Sequence, residues 1–129
     1  MNDSDISKHY FNDIDFLGNL NLERVLISFE HEPILFLCTD EQGLLYLCLC
    51  SEIRYGSWWV IGRISMDALD ELLEGRMDIR TAFLENELSY RVHSEVQGKE
   101  TCEEVPTVNL LETDIPKEGV FYEGDEYLC

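Results

Sequence analysis

The sequence has few cations and few residues that interrupt regular structure. Only 9 Lys and Arg stand against 27 Asp and Glu, so the formal net charge is −18 at pH 7. Such an excess of negative charge repels a phosphate backbone instead of releasing its counterions, which disfavours direct nucleic-acid binding. With only 8 Gly and 3 Pro and a hydrophobic content of 45%, the composition excludes collagen-like, low-complexity and disordered chains.

Long apolar runs, secretory features and paired cysteine motifs are also missing. The longest apolar runs, Ile34 to Cys38 and Leu44 to Cys50, are far shorter than the ~20 residues of a transmembrane helix. The first 20 residues carry acids where a signal peptide carries Lys or Arg. The 5 cysteines are an odd number without CxxC spacing, which disfavours a disulfide framework. We therefore expect a soluble, cytoplasmic protein.

The chain begins with a polar, acidic segment, residues 1–22. Four apolar residues from Ile6 to Leu17 recur at spacings of 4, 4 and 3, which is compatible with a loose helix that Gly18 would end. The pattern favours a helix and an irregular chain equally for this segment.

A run of strand-like segments follows this start. The alternation and the turns between the segments predict an antiparallel meander over residues 24–29, 34–39, 44–50 and 58–64. The second and third of these strands are apolar at both alternating positions, so both faces of the sheet must be covered. Either the same chain or a second subunit would supply that cover.

Two helices and two more strands complete the expected fold. Ser65 and Gly75 flank a helix over 66–74, and Asp78 begins a short second helix over 78–85. Further strands are expected at 88–96 and 105–111. The prediction is an α+β fold, a mostly antiparallel five- or six-stranded sheet with both helices on one face.

The length of 129 residues fits a single domain, because a typical domain has ~150 residues. We divide it into the acidic N-terminal segment 1–22, a sheet and helix core over 24–96, and an acidic C-terminal segment over 100–129. The last segment holds nine acids and one Lys.

Three stretches of the chain carry a resemblance to a known family. They are PILFLCTDEQGLLYLCLC, WWVIGRISMDALDELLEGRMDIRTAF and VFYEGDEYL. Together they resemble an uncharacterised family of small bacterial domains over about residues 24–123, most specifically from Leu72 to Phe83. No activity or catalytic residue is assigned to that family, so the resemblance implies a fold and not a function. A structural role for this stretch is favoured over a functional role for Arg76 or Arg80.

No catalytic motif or cofactor motif is present. Cys38, Cys48 and Cys50 could meet around a zinc ion, but their Leu and Phe neighbours favour small buried hydrophobic residues. Cysteine nucleophile chemistry would need a nearby histidine, and none of the three histidines lies in a recognisable motif. Pairs of carboxylates arise by chance among 27 acids. We expect no enzyme activity, no metal and no cofactor.

The acidity is the main indication of function. A net charge of −18 is well beyond the magnitude of ~2–8 that is common for a small soluble domain. It favours a binding protein that docks on a basic, nucleic-acid-handling protein, as nuclease inhibitors and toxin immunity proteins do. The alternative is that the charge only solubilises the chain. The acidic candidates for partner binding are Asp67, Asp70, Glu71, Glu74, Glu103, Glu104, Glu123, Asp125 and Glu126.

Two adjacent tryptophans, Trp58 and Trp59, complete the candidate set. On a strand they must lie on opposite faces of the sheet, and tryptophan is enriched among the energetic anchors of interfaces. They also motivate a second hypothesis, a self-associating adaptor module that buries apolar sheet surface as a homodimer. A third hypothesis is an enzyme with a site near His93 and the cysteines.

Overall fold

A computed structural model describes residues 11–29, 32–52, 57–94, 100–110 and 114–122. Within these ranges the strands and helices are β1 (Phe11–Ile14), β2 (Gly18–Phe29), β3 (Glu32–Thr39), β4 (Leu45–Glu52), β5 (Ser57–Arg63), α1 (Met66–Leu73), α2 (Ile79–Leu84), β6 (Leu88–Ser94) and β7 (Glu100–Pro106). A 3-10 turn, Thr107–Asn109, follows β7.

Strands β2 to β7 form an antiparallel six-stranded sheet in which each strand pairs with the next along the chain. The short β1 pairs with the beginning of β2 and adds a further strand there. The connections are short because every neighbour is antiparallel. The predicted α+β class, the six-stranded sheet and the two helices are confirmed.

The N-terminal segment forms a hairpin, and the helix considered for it is wrong over residues 11–17. Phe11 pairs with Leu20 and Ile14 pairs with Gly18. Phe16 and Gly18 both have a φ of 72°, a left-handed conformation that turns the chain and that a helix does not contain. The part of the expected helix before residue 11 lies outside the described residues.

The last strand also differs from the expectation of 105–111. Its seven residues pair with β6 from Ser94↔Glu100 to Leu88↔Pro106, although Thr101 to Glu104 show no apolar alternation. Pairing with β6 along its whole length gives these residues a strand conformation. The strand ends at Pro106, which has no N–H. Of the expected strand 88–96, residues 88–94 are β6 and the other two lie outside the described part.

One face of the sheet is covered by both helices. The Ser65 Oγ accepts a hydrogen bond from the Ala68 N–H at 3.1 Å and begins α1. Helices α1 and α2 bury Leu69, Leu72 and Phe83 against aliphatic side chains of β3, β4 and β5. We call this side the helix face.

The opposite face is covered by the β1–β2 hairpin, and we call it the hairpin face. Phe36, Cys48 and Ile61 are fully buried there beneath Phe11 and Leu20. The Phe11 ring lies 6.3 Å from the Phe36 ring between centroids. The cover that the doubly apolar strands require therefore comes from the same chain.

The C-terminal segment is held against α2. The Asp78 carboxylate accepts hydrogen bonds from the N–H of Thr81 and the N–H of Gly119, both at 2.8 Å. Leu110 and Ile115 are buried in the core of the helix face. The buried core therefore includes residues that come before the segment 24–96 in the sequence, such as Phe11, and residues that come after it, such as Ile115.

Candidate functional site

The outer side of α1 presents acidic residues to solvent. Leu69 and Leu72 face the sheet, so the helical period places Asp67 and Asp70 on the opposite side. Both of these acids are exposed. The side chains predicted from the sequence to form an acidic helix surface do so.

These acids line an open groove of about 640 Å³. The groove runs along α1 and reaches the residue that follows α2, and most of its side chains are polar. Its lining consists of Ser65, Asp67, Ala68, Asp70, Glu71, Glu74, Arg76, Met77 and Glu85. We call it the α1 groove.

One cation neutralises part of the α1 groove. The Arg76 Nε and one terminal nitrogen donate to the two carboxylate oxygens of Glu71 at 3.1 and 3.0 Å, and the other terminal nitrogen contacts Glu74. The hydrogen bond from Arg76 lowers the pKa of Glu71. Asp67, Asp70 and Glu85 make no ion pair with the Lys and Arg of the described ranges. Their charge is therefore open to a partner.

A second surface lies where β6 and β7 meet the helix face. The Arg91 guanidinium forms ion pairs with Glu103 at 3.1 Å and Asp114 at 3.4 Å. Its central carbon lies 5.5 Å from the centroid of Trp58, which stacks on His93 at 4.2 Å. This network fixes the side chains around a depression of about 290 Å³ beside β7.

The two tryptophans lie on opposite faces, as their positions on a strand predict. Trp58 is on the side of Val60, within the helix face, and Trp59 is on the hairpin face, 5.3 Å from the Phe11 ring. Both are half-buried within the chain. The Trp59 Nε1 is buried and has no hydrogen-bond partner in the described structure.

The predicted acidic set does not form one surface. Four of its members line the α1 groove, whereas Glu103 and Glu104 are exposed on β7. Glu123, Asp125 and Glu126 lie outside the described residues. Sequence reasoning missed Glu85 and Arg91. Glu85 lines the groove only because α2 packs beside α1. Arg91 meets Glu103 only because of the register between β6 and β7.

Two of the described cysteines, Cys48 and Cys102, are poor nucleophiles. Cys38 and Cys48 are fully buried on the hairpin face, and burial raises the pKa of the Cys48 thiol well above its usual value. Burial, with the nearby Asp15 carboxylate, raises the pKa of Cys102 to about 12. These two thiols stay protonated at neutral pH, and the thiolate is the reactive form.

The described part of the chain has neither a cluster of metal ligands nor a membrane-spanning helix. No three His, Cys, Asp or Glu side chains there are grouped so that they could hold a metal ion. None of the helices found there combines the length and apolar character that crossing a membrane requires.

The arrangement defines an α+β domain with exposed carboxylate surfaces, and comparison with known proteins places it in a family. The model of a family of unknown function, DUF6575, matches residues 8–129, so the chain belongs to this family. The match agrees with the resemblance to an uncharacterised family over residues 24–123 and extends it at both ends. No curated protein and no solved structure matches the sequence.

Proposed function

We propose that this chain is a non-enzymatic binding protein that docks its carboxylate surface on a basic, nucleic-acid-handling protein. In this proposal it acts in the bacterial cytoplasm as an inhibitor or immunity-type protein, with no cofactor. Clustered carboxylates on a small domain resemble the phosphates that such a partner binds, and they accelerate encounter with a positively charged channel.

The observation that carries this proposal is the set of exposed carboxylates in the α1 groove. Asp67, Asp70 and Glu85 have no cation opposite them among the described residues, whereas Glu71 and Glu74 share Arg76. Asp67 and Asp70 are three residues apart in α1, where like charges repel each other and destabilise the helix slightly. A basic partner relieves that repulsion on binding, so the arrangement favours recognition over stability.

The alternative is a self-associating structural or adaptor module. The sequence feature that favours self-association is a pair of strands, residues 34–39 and 44–50, that are apolar on both faces. Phe11 and Leu20 of the same chain bury the second face, so the sheet does not need another subunit to cover it. The observation that favoured self-association therefore has an explanation within one chain, and the acidic binding protein is the better-supported proposal.

Affinity capture with matched charge variants tests the proposed function. The tagged protein is incubated with a lysate of its host, and bound proteins are eluted with rising salt and identified by mass spectrometry. The test variant is Asp67→Lys with Asp70→Lys. The control is Glu87→Lys with Glu118→Lys, two exposed acids outside the α1 groove that give the same change in net charge.

We expect a basic partner in a stoichiometric complex that salt dissociates, and we expect bound partner to lose its affinity for nucleic acid. The groove variant should slow association about tenfold, the lower range of electrostatic steering, while the control changes it much less. Equal association rates for the two variants would contradict docking through the α1 groove. A partner that still binds nucleic acid in the complex would contradict inhibition.

A further inference from the structure

Strand β7 is the last strand of the sheet in chain order, and within the described ranges only one of its edges is paired. Its inner edge pairs with β6 along its whole length. No strand within the described ranges pairs with its outer edge. Strand β1 approaches β7 from the hairpin face without pairing with it. An unpaired edge of seven residues is a template for another extended chain.

The register shows which backbone groups this edge offers. The Thr107 N–H donates to the Glu87 carbonyl at 2.9 Å and continues the ladder between β6 and β7. Hydrogen-bonded pairs alternate along an antiparallel ladder, so Thr101, Glu103 and Val105 direct their backbone groups towards β6. The backbone N–H and C=O groups of Cys102 and Glu104 therefore point outwards.

The side chains beside these groups carry negative charge on both faces. Glu103 lies on the helix face next to the depression that Trp58 and Arg91 line. Glu104 is exposed on the hairpin face, where Asp15 is near enough to Cys102 to affect its thiol. A strand placed along this edge would meet a carboxylate on either side of the sheet.

We propose that the outer edge of β7 binds an extended, basic segment of the partner protein by β-strand addition. The outward groups of Cys102 and Glu104 supply the main-chain hydrogen bonds. Glu104 selects Lys or Arg on one side of the added strand. On the other side the selection comes from the network of Arg91, Glu103 and Asp114, which has one excess negative charge. The basic character of the partner rests on the proposed function, and the mode of binding goes beyond it.

Charge decides between this occupant and a second copy of the chain. Two β7 edges that pair with each other would bring Glu103 and Glu104 of one copy close to the same residues of the other. Like charges opposite each other destabilise a strand pair, and each copy has a net charge of −18. A basic strand makes the same hydrogen bonds with attraction in place of repulsion.

The test measures amide hydrogen exchange by NMR with a synthetic peptide as the probe. The peptide is Val-Lys-Lys-Val-Lys-Lys-Val with blocked termini, which places Lys on both faces of an added strand. A matched peptide with N-methylated backbone amides has the same charge and cannot donate hydrogen bonds to the edge. In the free protein we expect fast exchange at Cys102 and Glu104 and slow exchange at Thr101, Glu103 and Val105.

Addition of the unmodified peptide should slow exchange at Cys102 and Glu104 at least tenfold, and the N-methylated peptide should bind about 25-fold more weakly. That figure assumes two lost hydrogen bonds at about fivefold each. Slow exchange at both residues in the free protein would overturn the proposal, as would equal binding of the two peptides. Protection that rises with protein concentration alone would overturn it in favour of a second copy.

A pair of variants separates the backbone from the side-chain charge. Glu104→Pro removes one outward N–H without removing a bond to β6, and Glu104→Gln removes the charge but keeps the N–H. We expect the proline variant to bind the peptide about fivefold more weakly than the glutamine variant. Equal affinities would contradict strand addition. If the α1 groove variant weakens partner capture while the peptide leaves β7 unprotected, the proposed function stands and strand addition fails.

Discussion

The two faces of the sheet are buried by different means. On the helix face, aliphatic side chains pack beneath two helices whose first turns are capped by Ser65 and Asp78. On the hairpin face, aromatic rings and thiols lie under a two-stranded hairpin. Of the buried polar atoms without partners in the described structure, Trp59 Nε1 lies on the hairpin face, whereas Asn21 Oδ1 and Arg91 Nε lie on the opposite side of the sheet. Because β1 has only four residues and a two-stranded hairpin is at best marginally stable on its own, we expect the hairpin face to open first.

The largest expected effect tests the helix face. Phe83 is fully buried between α2 and the sheet, and Phe83→Ala should lower the free energy of unfolding by about 4 kcal/mol through lost burial and a cavity. Urea denaturation followed by circular dichroism measures this. Leu84→Ala, at an exposed neighbouring position, is the control and should change stability by less than about 0.5 kcal/mol. A loss below about 1 kcal/mol for Phe83→Ala would show that the two helices contribute little.

The second prediction concerns the hairpin face. Phe11→Ala should cost about 3 kcal/mol and should release the hairpin locally while the helix face stays folded. Trp59, which packs on Phe11, should then show red-shifted fluorescence before the circular dichroism signal of α1 is lost in urea. Phe16→Ala, at a position that is 63% exposed, is the matched control. Coincident transitions for the two probes would contradict separate opening of this face.

The same contrast explains what could be predicted from the sequence. Ser65, Gly75 and Asp78 are local markers of helix ends, so the helices were placed to within a residue or two. Strand β1 was missed because its four residues acquire a strand conformation only by pairing with β2 and covering the hairpin face. Local spacing contains no information about that distant surface.

The candidate site also has features that local spacing predicts and features that depend on distant contacts. The exposure of Asp67 and Asp70 follows from the helical period, and the sequence predicted it. The Arg76–Glu71 pair spans the end of α1, and the Arg91–Glu103 pair depends on strand register. The outward amides of β7 follow from that register too, because a one-residue slip would exchange inner and outer groups.

A third prediction concerns the attachment of the C-terminal segment to the helix face. Asp78→Ala removes a helix cap and the hydrogen bond from Gly119, and we expect a loss of about 2 kcal/mol in the free energy of unfolding. Asp70→Ala, at an exposed helix position without a capping role, is the control. A loss equal to that of the control would contradict the attachment.

Asp78 also gives a dependence on pH. Burial of this carboxyl raises its pKa, but the hydrogen bonds from Thr81 and Gly119 outweigh burial and lower the pKa below 3.8. A carboxyl with a lowered pKa in the folded state stabilises the fold above its unfolded pKa and loses that contribution on protonation. The stability difference between wild type and Asp78→Ala should therefore be constant near neutral pH and shrink below about pH 4. A difference that stays constant down to pH 2 would contradict a contribution from the ionised carboxylate.

The smallest expected effect tests how closely the helix face is packed. A Cβ added to Gly62 would lie 3.1 Å from the Phe83 Cδ1 and 3.4 Å from the Asn86 Nδ2, so Gly62→Ala should cost about 1 kcal/mol by overpacking. Phe83→Leu replaces the ring that lies against Gly62 with a smaller side chain. In that background Gly62→Ala should be nearly neutral, and a double-mutant cycle in urea measures the coupling. Additive losses would show that α2 can move away from β5, and the helix face would then be no more tightly packed than the hairpin face.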